Sequence, residues 1–443
     1  MQLRMMKRVN NLMMKIVNNR IVAVLSCIAA ICLFAACSDK NETENAGDDE
    51  NGEIVVPDDC YADSRTVLVY IAAENSLSGG AVSDLNEILL GVKNSNLYPG
   101  DKVVVFLDDT RLPRIYCIDK TVKAETYTEL VPEVEYETDV NSASKEQFEA
   151  ILQYVKEHHP ASSYGLVMWS HASGWLPTPE EAKSLSAKSR RRAFGIDNEK
   201  NTASNTGSQM GISDIARALE NFGGTDFIFF DACFMQTIEV AYELRNATKY
   251  IIGSPAEIPG PGADYRTMIP ACFLRNDWAD AMISAYYDSY SDMVSGYGLV
   301  ISSIDTKAIP RFAAYVKNVV ANEHEALLSA NYDKVQRYFR FGTWSYDYPD
   351  FYDARGIMKN VLDGESYAQW LEEKANLVTC KHTSAWYSAF NKNLNYIDAS
   401  QCCGMSMYVP LAKYRYGTGA YSFAEFFPST AWAKYVWNES VQP

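Results

Sequence analysis

The feature that most constrains the fold is a short apolar run that ends abruptly in small and polar residues. Residues 227–230 are Phe-Ile-Phe-Phe, and a continuous apolar run of this kind predicts a strand buried on both faces. Asp231, Ala232 and Cys233 follow directly. Apolar residues then recur at helical spacing, at Phe234, Ile238, Ala241 and Leu244. The stretch therefore predicts a buried strand that passes into a helix, with Cys233 at the junction.

The position of Cys233 has two interpretations. In open α/β sheets, ligands bind at the carboxyl ends of the strands. A helix that begins there would lower the pKa of the thiol, because the helix N-terminus favours the negatively charged thiolate. The alternative is a small buried core residue, which is the commoner role of cysteine. This stretch alone leaves the two interpretations open.

A second predicted strand ends in a histidine. Residues 165–169 are apolar and lead into Ser170 and His171. Of the five histidines, only His171 passes from an apolar strand into small residues, at positions 172–174, which leave room for a substrate. A nucleophilic cysteine needs an acid–base partner that is close in space rather than in sequence. Two neighbouring parallel strands that end in His171 and Cys233 would supply this pair.

The chain as a whole alternates strands and helices. The predicted strands are 65–73, 101–107, 114–118, 165–169, 227–230, 250–252, 298–303 and 402–411. The predicted helices are 81–93, 148–155, 212–219, 278–290, 308–320, 367–376 and 423–437. This alternation predicts an α/β fold with a mostly parallel sheet, right-handed crossovers and helices on both faces.

Two motifs carry a resemblance to a known family. The segments Trp-Ser-His-Ala-Ser-Gly-Trp at 169–175 and Asp-Ala-Cys-Phe-Met at 231–235 resemble those of the clostripain family of cysteine peptidases, relatives of the caspases. The likeness extends to residues 66–73, 253–254 and 404–410. It implies a caspase-like three-layer α/β/α sandwich with a C-terminal α/β extension. The peptidase domain would span 61–443, with 275–443 as a candidate subdomain.

The resemblance also implies a mechanism. It implies an endopeptidase in which Cys233 attacks the scissile carbonyl as thiolate and His171 gives a proton to the leaving amine. The oxyanion would be held by backbone N–H groups of Cys233 and of Ala172, Ser173 or Gly174. The family usually has glycine directly after the histidine, and Ala172 departs from that pattern. A catalytically idle caspase-like lipoprotein that binds peptides or glycans is the alternative function.

The same resemblance implies that cleavage follows Arg, less often Lys. Asp231 would pair with the basic side chain of the substrate, whereas a helix N-cap is its alternative role. A second acid often follows in a later glycine-rich loop of the family, but residues 260–262 here are Gly-Pro-Gly. Glu257 and Asp264 are the substitutes we consider for that acid.

A polar insertion at 176–210 separates the two motifs. It carries four basic residues in a short run, Lys188, Arg190, Arg191 and Arg192. Several members of the family activate by cutting such a loop, and proteolysis concentrates at exposed polar loops. We therefore expect self-processing within this insertion, with an exposed basic loop as the alternative.

The N-terminal segment predicts export. Residues 1–20 carry basic residues and no acids, and residues 21–36 are apolar but too short to span a bilayer comfortably. This pattern is typical of a signal peptide, and Cys37 completes a sequence that looks like a bacterial lipobox. An ordinary signal peptide cut near the same place is the alternative. Residues 38–60 are strongly acidic, which predicts a disordered tether. An acidic run after a lipidated cysteine resembles the signal that sends some lipoproteins to the cell surface, so we expect an outer-membrane lipoprotein facing the cell surface or periplasm, with a solvated spacer as the alternative.

Composition restricts the partners. The net charge of −16 argues against nucleic acid, because phosphate contacts need a basic face. We expect a monomer that acts on proteins or peptides, is anchored through its lipid and needs no cofactor. Calcium binding is suggested only by the family resemblance, since no carboxylate cluster has recognisable ligand spacing in the sequence. An odd number of cysteines follows the lipobox, so at least one thiol is unpaired within the chain: Cys60, Cys117, Cys233, Cys272, Cys380, Cys402 and Cys403.

Overall fold

Alternating strands and helices organise the part of the chain that the structure describes. The computed structural model describes residues 63–176, 193–205, 207–339, 351–389, 391–412 and 421–437. The main strands are β1 (Arg65–Ala72), β2 (Lys102–Asp108), β3 (Arg114–Ile118), β4 (Val134–Glu135), β5 (Ser163–Trp169), β6 (Phe194–Asp197), β7 (Ser208–Met210), β8 (Thr225–Asp231) and β9 (Thr248–Gly253). The later strands are β10 (Val300–Asp305), β11 (Arg337–Phe339), β12 (Phe351–Asp353), β13 (Val378–His382), β14 (Ala385–Ser388), β15 (Asn393–Tyr396) and β16 (Ser406–Met407).

The helices connect these strands. They are α1 (Ser78–Asn94), α2 (Lys145–His158), α3 (Ile212–Phe222), α4 (Ile238–Leu244), α5 (Tyr265–Cys272), α6 (Trp278–Asp288), α7 (Ile309–Asn322), α8 (His324–Ser329), α9 (Ala354–Val361), α10 (Gly364–Ala375) and α11 (Tyr421–Phe426). Among the described residues, no helix is both long and apolar enough to cross a membrane.

One nine-stranded sheet forms the centre of the described structure, in the order β13-β10-β9-β8-β5-β1-β2-β3-β4. The five strands from β9 to β2 are mutually parallel. The strands outside them pair antiparallel. The prediction of a mostly parallel α/β sandwich is therefore confirmed. The division into signal peptide, tether, peptidase domain and subdomain stays a prediction.

Both faces of the sheet are covered by helices, as continuous apolar strands require. On β1, Leu68 and Tyr70 belong to one apolar core, whereas Val67 and Val69 belong to another. The first core is completed by residues of α2, α3 and α7, and the second by residues of α1, α5 and α6. Burial on both sides explains why these strands lack alternating polar residues.

Two predicted elements near the C-terminus are corrected. The strand expected at 402–411 is only the two-residue β16, which pairs with β12 in a separate three-stranded sheet. The closing helix expected at 423–437 is divided into α11, a 3-10 turn at Phe427–Ser429 and a π-helical turn at Ala433–Trp437. Pro428 has no N–H to continue an α-helix, which accounts for the interruption.

Candidate active site

The register between β5 and β8 brings the two motifs to one edge of the sheet. The strands are parallel, and Trp169 lies opposite Asp231 at their carboxyl ends. His171 and Cys233 each follow two residues later. Because neighbouring strands are about 4.8 Å apart, the two backbones leave the sheet side by side.

The loops that follow these strands are in direct backbone contact. Gly174 has φ of +69°, and a Cβ at this position would lie 2.7 Å from the carbonyl oxygen of Phe234. Such a distance leaves no room for a side chain, so only glycine fits. Phe234 is itself in the left-handed region, with φ of +63°. A non-glycine residue in this region costs about 1–3 kcal/mol and is common at active sites.

The structure corrects the expected environment of Cys233. Helix α4 begins at Ile238, with the Thr237 side chain as its N-cap, so Cys233 lies in the preceding loop and not at a helix N-terminus. The dipole argument for a lowered thiol pKa is therefore wrong. Cys233 is half-buried and forms no disulfide with another described residue. The next residue is anchored by its N–H, which donates to the carbonyl of Ala256 at 3.0 Å.

His171 is held from two sides. Its Nε2 lies 2.9 Å from the Oγ of Ser76, in the loop after β1. Its carbonyl accepts from the N–H of Gly195 in β6 at 2.9 Å. No sequence motif singles out Ser76, although its place just after the first predicted strand puts it at the same edge of the sheet.

Hydrogen bonds within the fold affect which backbone N–H groups could hold the oxyanion. The N–H of Ser173 donates to the carbonyl of Ala193 at 3.1 Å, so this structure favours Ala172 or Gly174 over Ser173 as the donor. Ala172 pairs with Phe194 and has no positive φ, so its backbone conformation is one that any residue adopts. The glycine-only conformation occurs instead at Gly174.

Asp231 is enclosed by hydrogen-bond donors rather than capping a helix. Its Oδ2 accepts from the hydroxyl of Tyr265 at 2.9 Å and from the N–H of Ala263 at 3.1 Å. Its Oδ1 accepts from the hydroxyl of Tyr286 at 3.0 Å. Burial raises the pKa of this carboxyl, and the three donors oppose that rise. Since Thr237 caps α4, the alternative of an N-cap role for Asp231 is wrong.

A family model matches the sheet and both motif loops. The model of the clostripain family, peptidase family C11, matches residues 69–434. This chain belongs to the clostripain family. It is a cysteine-type peptidase with the caspase-like fold of that family.

Several relatives are similar to this clostripain-family peptidase. Clostripain from Hathewaya histolytica is 22% identical, with 85% of this chain and 79% of clostripain covered. A secreted C11 cysteine protease from Bacteroides thetaiotaomicron, solved with an irreversible peptide inhibitor, is 27% identical, with 84% of this chain and 98% of that chain covered and a TM-score of 0.68. An inactive zymogen C11 protease from Parabacteroides distasonis is 26% identical, with 84% and 97% covered and a TM-score of 0.68.

A second buried acid of this clostripain-family chain lies near Asp231. The indole N–H of Trp169 donates to the Oδ2 of Asp84 in α1 at 2.7 Å. Burial, with a contribution from Asp231, raises the pKa of Asp84 to about 8. The sequence pattern of α1 did not indicate that Asp84 is a buried hydrogen-bond acceptor. The apolar spacing of a helix predicts apolar residues on its buried side, and an acid there departs from that spacing.

The two substitute acids have local partners. The Oε1 of Glu257 accepts from the N–H of Ala389 at 2.9 Å. Asp264 is the N-cap of α5 and also pairs with Arg266 at 2.7 Å. Their roles in substrate binding stay predictions. Of the predicted processing and lipidation sites, Lys188, Arg190, Arg191, Arg192 and Cys37 lie outside the described residues.

Proposed function

We propose that this clostripain-family peptidase is an exported endopeptidase with Cys233 as nucleophile and His171 as acid–base partner, and that it cuts after Arg and less often after Lys. The observation that carries the dyad is the pairing of Trp169 with Asp231 at the ends of β5 and β8. Because of this register, His171 and Cys233 follow their strands at the same edge of the sheet. The close approach of Gly174 to Phe234 supports it further, since it packs the two loops together.

In the proposed reaction, the Cys233 thiolate attacks the scissile carbonyl carbon, and the carbonyl π electrons move to the oxygen. That oxygen accepts hydrogen bonds from the N–H of Cys233 and of Ala172 or Gly174. As the tetrahedral intermediate collapses, His171 protonates the nitrogen of the leaving amine and the C–N bond breaks. Water then gives a proton to His171 and attacks the thioester carbonyl; the C–S bond breaks, which releases the carboxylic acid and restores the Cys233 thiolate beside protonated His171.

The proposed preference for basic residues rests on Asp231. Its carboxylate stands two residues before the nucleophile, where it would attract the cation of a substrate side chain. Arg would be held by two parallel hydrogen bonds and Lys as a point charge, which explains the preference for Arg. Tyr265 and Tyr286 hold the carboxylate in place for this role.

The proposed maturation has two parts. The first is export, with lipidation at Cys37, and it is supported by the basic and apolar N-terminus and by a relative that is described as secreted. The second is self-cleavage between residues 188 and 192. The existence of a zymogen form in the Parabacteroides distasonis relative supports an activation step of this kind.

Labelling with a thiol-reactive arginyl peptide electrophile tests the dyad and the specificity together. We expect wild-type protein to be modified at Cys233, as mapped by mass spectrometry, and to hydrolyse arginyl fluorogenic peptides. Cys233→Ala should lose both the modification by the electrophile and the hydrolysis of arginyl peptides. Cys117→Ala is the matched control, because Cys117 is also half-buried and burial raises the pKa of its thiol to about 12. Equal hydrolysis by wild type and Cys233→Ala, or labelling at another thiol, contradicts the proposal.

The alternative function, an idle lipoprotein that binds peptides or glycans, predicts a different result in the same experiment. The chain would retain arginyl peptide in a binding assay without modification of any thiol and without hydrolysis.

A further inference from the structure

A cysteine, a glutamate and a histidine meet at the edge of the sheet opposite the two motif loops. They are Cys117 in β3, Glu133 just before β4 and His159, which directly follows α2. Each offers one ligand atom, a sulfur, a carboxylate oxygen and a ring nitrogen, and these atoms all lie within 4.8 Å of one another. No spacing in the sequence indicated this cluster, because its members come from a strand, a loop and a helix end.

The register of the sheet separates this cluster from the proposed dyad. Cys117 lies opposite Val104, near the start of β2, because β3 runs antiparallel to β2. His159 comes shortly before β5 begins at Ser163, whereas His171 follows the end of the same strand. The reaction proposed above therefore makes no use of the cluster.

Backbone hydrogen bonds hold the members of the cluster in place. The N–H of Glu133 donates to the carbonyl of Ile115 in β3 at 2.8 Å. The N–H of His159 donates to a carbonyl of the last turn of α2, and its own carbonyl accepts from the hydroxyl of Thr66 at 3.0 Å. Cys117 is fixed by its pairing within the sheet. Little conformational freedom would be lost if the three residues bound a common ligand.

The side chains of the cluster are oriented toward one another. The Nε2 of His159 lies 2.9 Å from the Oε2 of Glu133, and the hydroxyl of Tyr154 donates to the same oxygen at 3.1 Å. His159 is only 4% exposed, whereas the side chain of Glu133 is 38% exposed, so the cluster can be reached from solvent. Cys117 forms no disulfide with another described residue. An outer hydroxyl that donates to a carboxylate is an arrangement that orients metal ligands.

We infer that Cys117, Glu133 and His159 form a binding site for a zinc ion, with water as the fourth ligand. Thiolate, imidazole and carboxylate are the ligand types that zinc takes, and three protein ligands leave one position of a tetrahedron for water. Calcium and magnesium prefer oxygen ligands, so a sulfur and a nitrogen in the set disfavour both.

The binding step exchanges a proton for the ion. Burial raises the pKa of the Cys117 thiol to about 12, so the sulfur carries its proton when no ion is bound. On binding, that proton passes to solvent and the sulfur lone pair goes to zinc, while His159 contributes the lone pair of an unprotonated ring nitrogen. The thiolate and the carboxylate then balance both charges of the ion. They outweigh the ammonium of Lys102, which acts on Cys117 and His159.

A zinc ion at this position would fasten the edge of the sheet. Strand β4 has only two residues, and it is the last strand of the nine, paired with β3. The ion would join β3, the residue before β4 and the end of α2. This edge would then be held by metal bonds in addition to the few hydrogen bonds of β4.

Zinc binding to the EDTA-treated full-length chain tests the inference without a peptidase assay. The titration uses Cys233→Ala, so that the proposed dyad does not form a second zinc site. By isothermal titration calorimetry we expect one zinc per chain, and with cobalt as the probe we expect the near-ultraviolet absorption of a cobalt–thiolate bond. Saturating zinc should raise the Tm by about 3 °C relative to EDTA, because the ion binds the folded state. No heat of binding for zinc, or a cobalt spectrum without the thiolate band, would overturn the site.

Substitutions in the same Cys233→Ala background identify the ligands. Cys117→Ser should abolish the cobalt–thiolate band and weaken zinc binding at least about tenfold. Glu133→Gln, at an exposed residue, should weaken zinc binding by a similar factor and provides the test if Cys117→Ser does not fold. His158→Gln is the matched control, because this neighbouring histidine is exposed and should not affect zinc affinity. Equal zinc affinity in all three variants would show adventitious binding elsewhere and overturn the inference.

Discussion

Ser76 Oγ lies 2.9 Å from the Nε2 of His171, although 95 positions separate the two residues. The contact exists because β1 and β5 are neighbours in the sheet and end at the same edge. A hydroxyl at this position restricts the rotation of the imidazole and selects which ring nitrogen carries the proton.

The first prediction concerns this contact. Ser76→Ala should lower kcat about fivefold with little change in KM, because a lost neutral hydrogen bond is worth roughly 1 kcal/mol and orientation affects the chemical step. Ser76→Thr keeps the hydroxyl and should retain most activity. The measurements are kcat and KM on an arginyl peptide. A higher KM at constant kcat in Ser76→Ala would show that Ser76 serves binding instead.

The second prediction concerns the contact between the two loops. Gly174→Ala places a Cβ against the Phe234 carbonyl at a positive φ, so we expect loss of Cys233 labelling and a free energy of unfolding lower by about 1–3 kcal/mol. Gly79→Ala is the control, because its Cβ meets nothing within 4 Å. Urea unfolding and labelling yield are the measurements, and normal labelling in Gly174→Ala would disprove the constraint.

The third prediction concerns the donors around Asp231. Tyr286→Phe removes one hydrogen bond to the carboxylate, which raises its pKa above the already raised value. If ionised Asp231 binds the basic side chain, the acid limb of the kcat/KM profile moves to higher pH. Tyr287→Phe, next to it on α6 with its ring near Lys381, should leave the limb in place. Coincident profiles for both variants would remove Asp231 from substrate binding.

The fourth prediction concerns Glu239 in α4, which is buried and accepts from the N–H of Tyr408 at 2.8 Å. Burial raises its pKa from 4.5 to about 7. The folded state therefore holds this proton more tightly than the unfolded state, and stability falls as pH rises from about 4.5 through about 7.

Glu239→Gln has no such proton to lose. Relative to the wild type, it should gain about 1–3 kcal/mol of stability at about pH 8.5 compared with about pH 4.5. Urea denaturation at both pH values measures this gain. Glu243→Gln, which is half-buried on the same helix, is the control. A gain of the same size in both variants would assign the effect to general charge rather than to burial.

The fifth prediction concerns self-processing. Active wild-type protein should give two fragments on a denaturing gel, with the cut between residues 188 and 192. Replacing the four basic residues Lys188, Arg190, Arg191 and Arg192 with Ala should leave the chain intact, as should Cys233→Ala. Fragments that persist in Cys233→Ala prepared without other proteases would show that the cut is not made by this chain.

Local patterns predicted seven of the nine strands of the central sheet and missed only its two edge strands, β4 and β13. The run 227–230 and the strand 165–169 are apolar without alternation, and that pattern alone indicates strands covered on both faces. The motif residues could also be identified from the sequence, because they directly follow these strands. What local patterns could not supply was the end of each element: the apolar spacing after Cys233 suggested a helix from Phe234, whereas α4 begins only at Ile238.

The sequence by itself determined the fold class, the parallel strands and the two loops from which a cysteine and a histidine emerge, since burial of apolar runs is a local property. Only the tertiary structure decided which distant residues surround them. The tyrosines that hold Asp231 and the hydroxyl beside His171 depend on strand order and register. These are set by packing across the whole sheet, and no spacing along the chain records them.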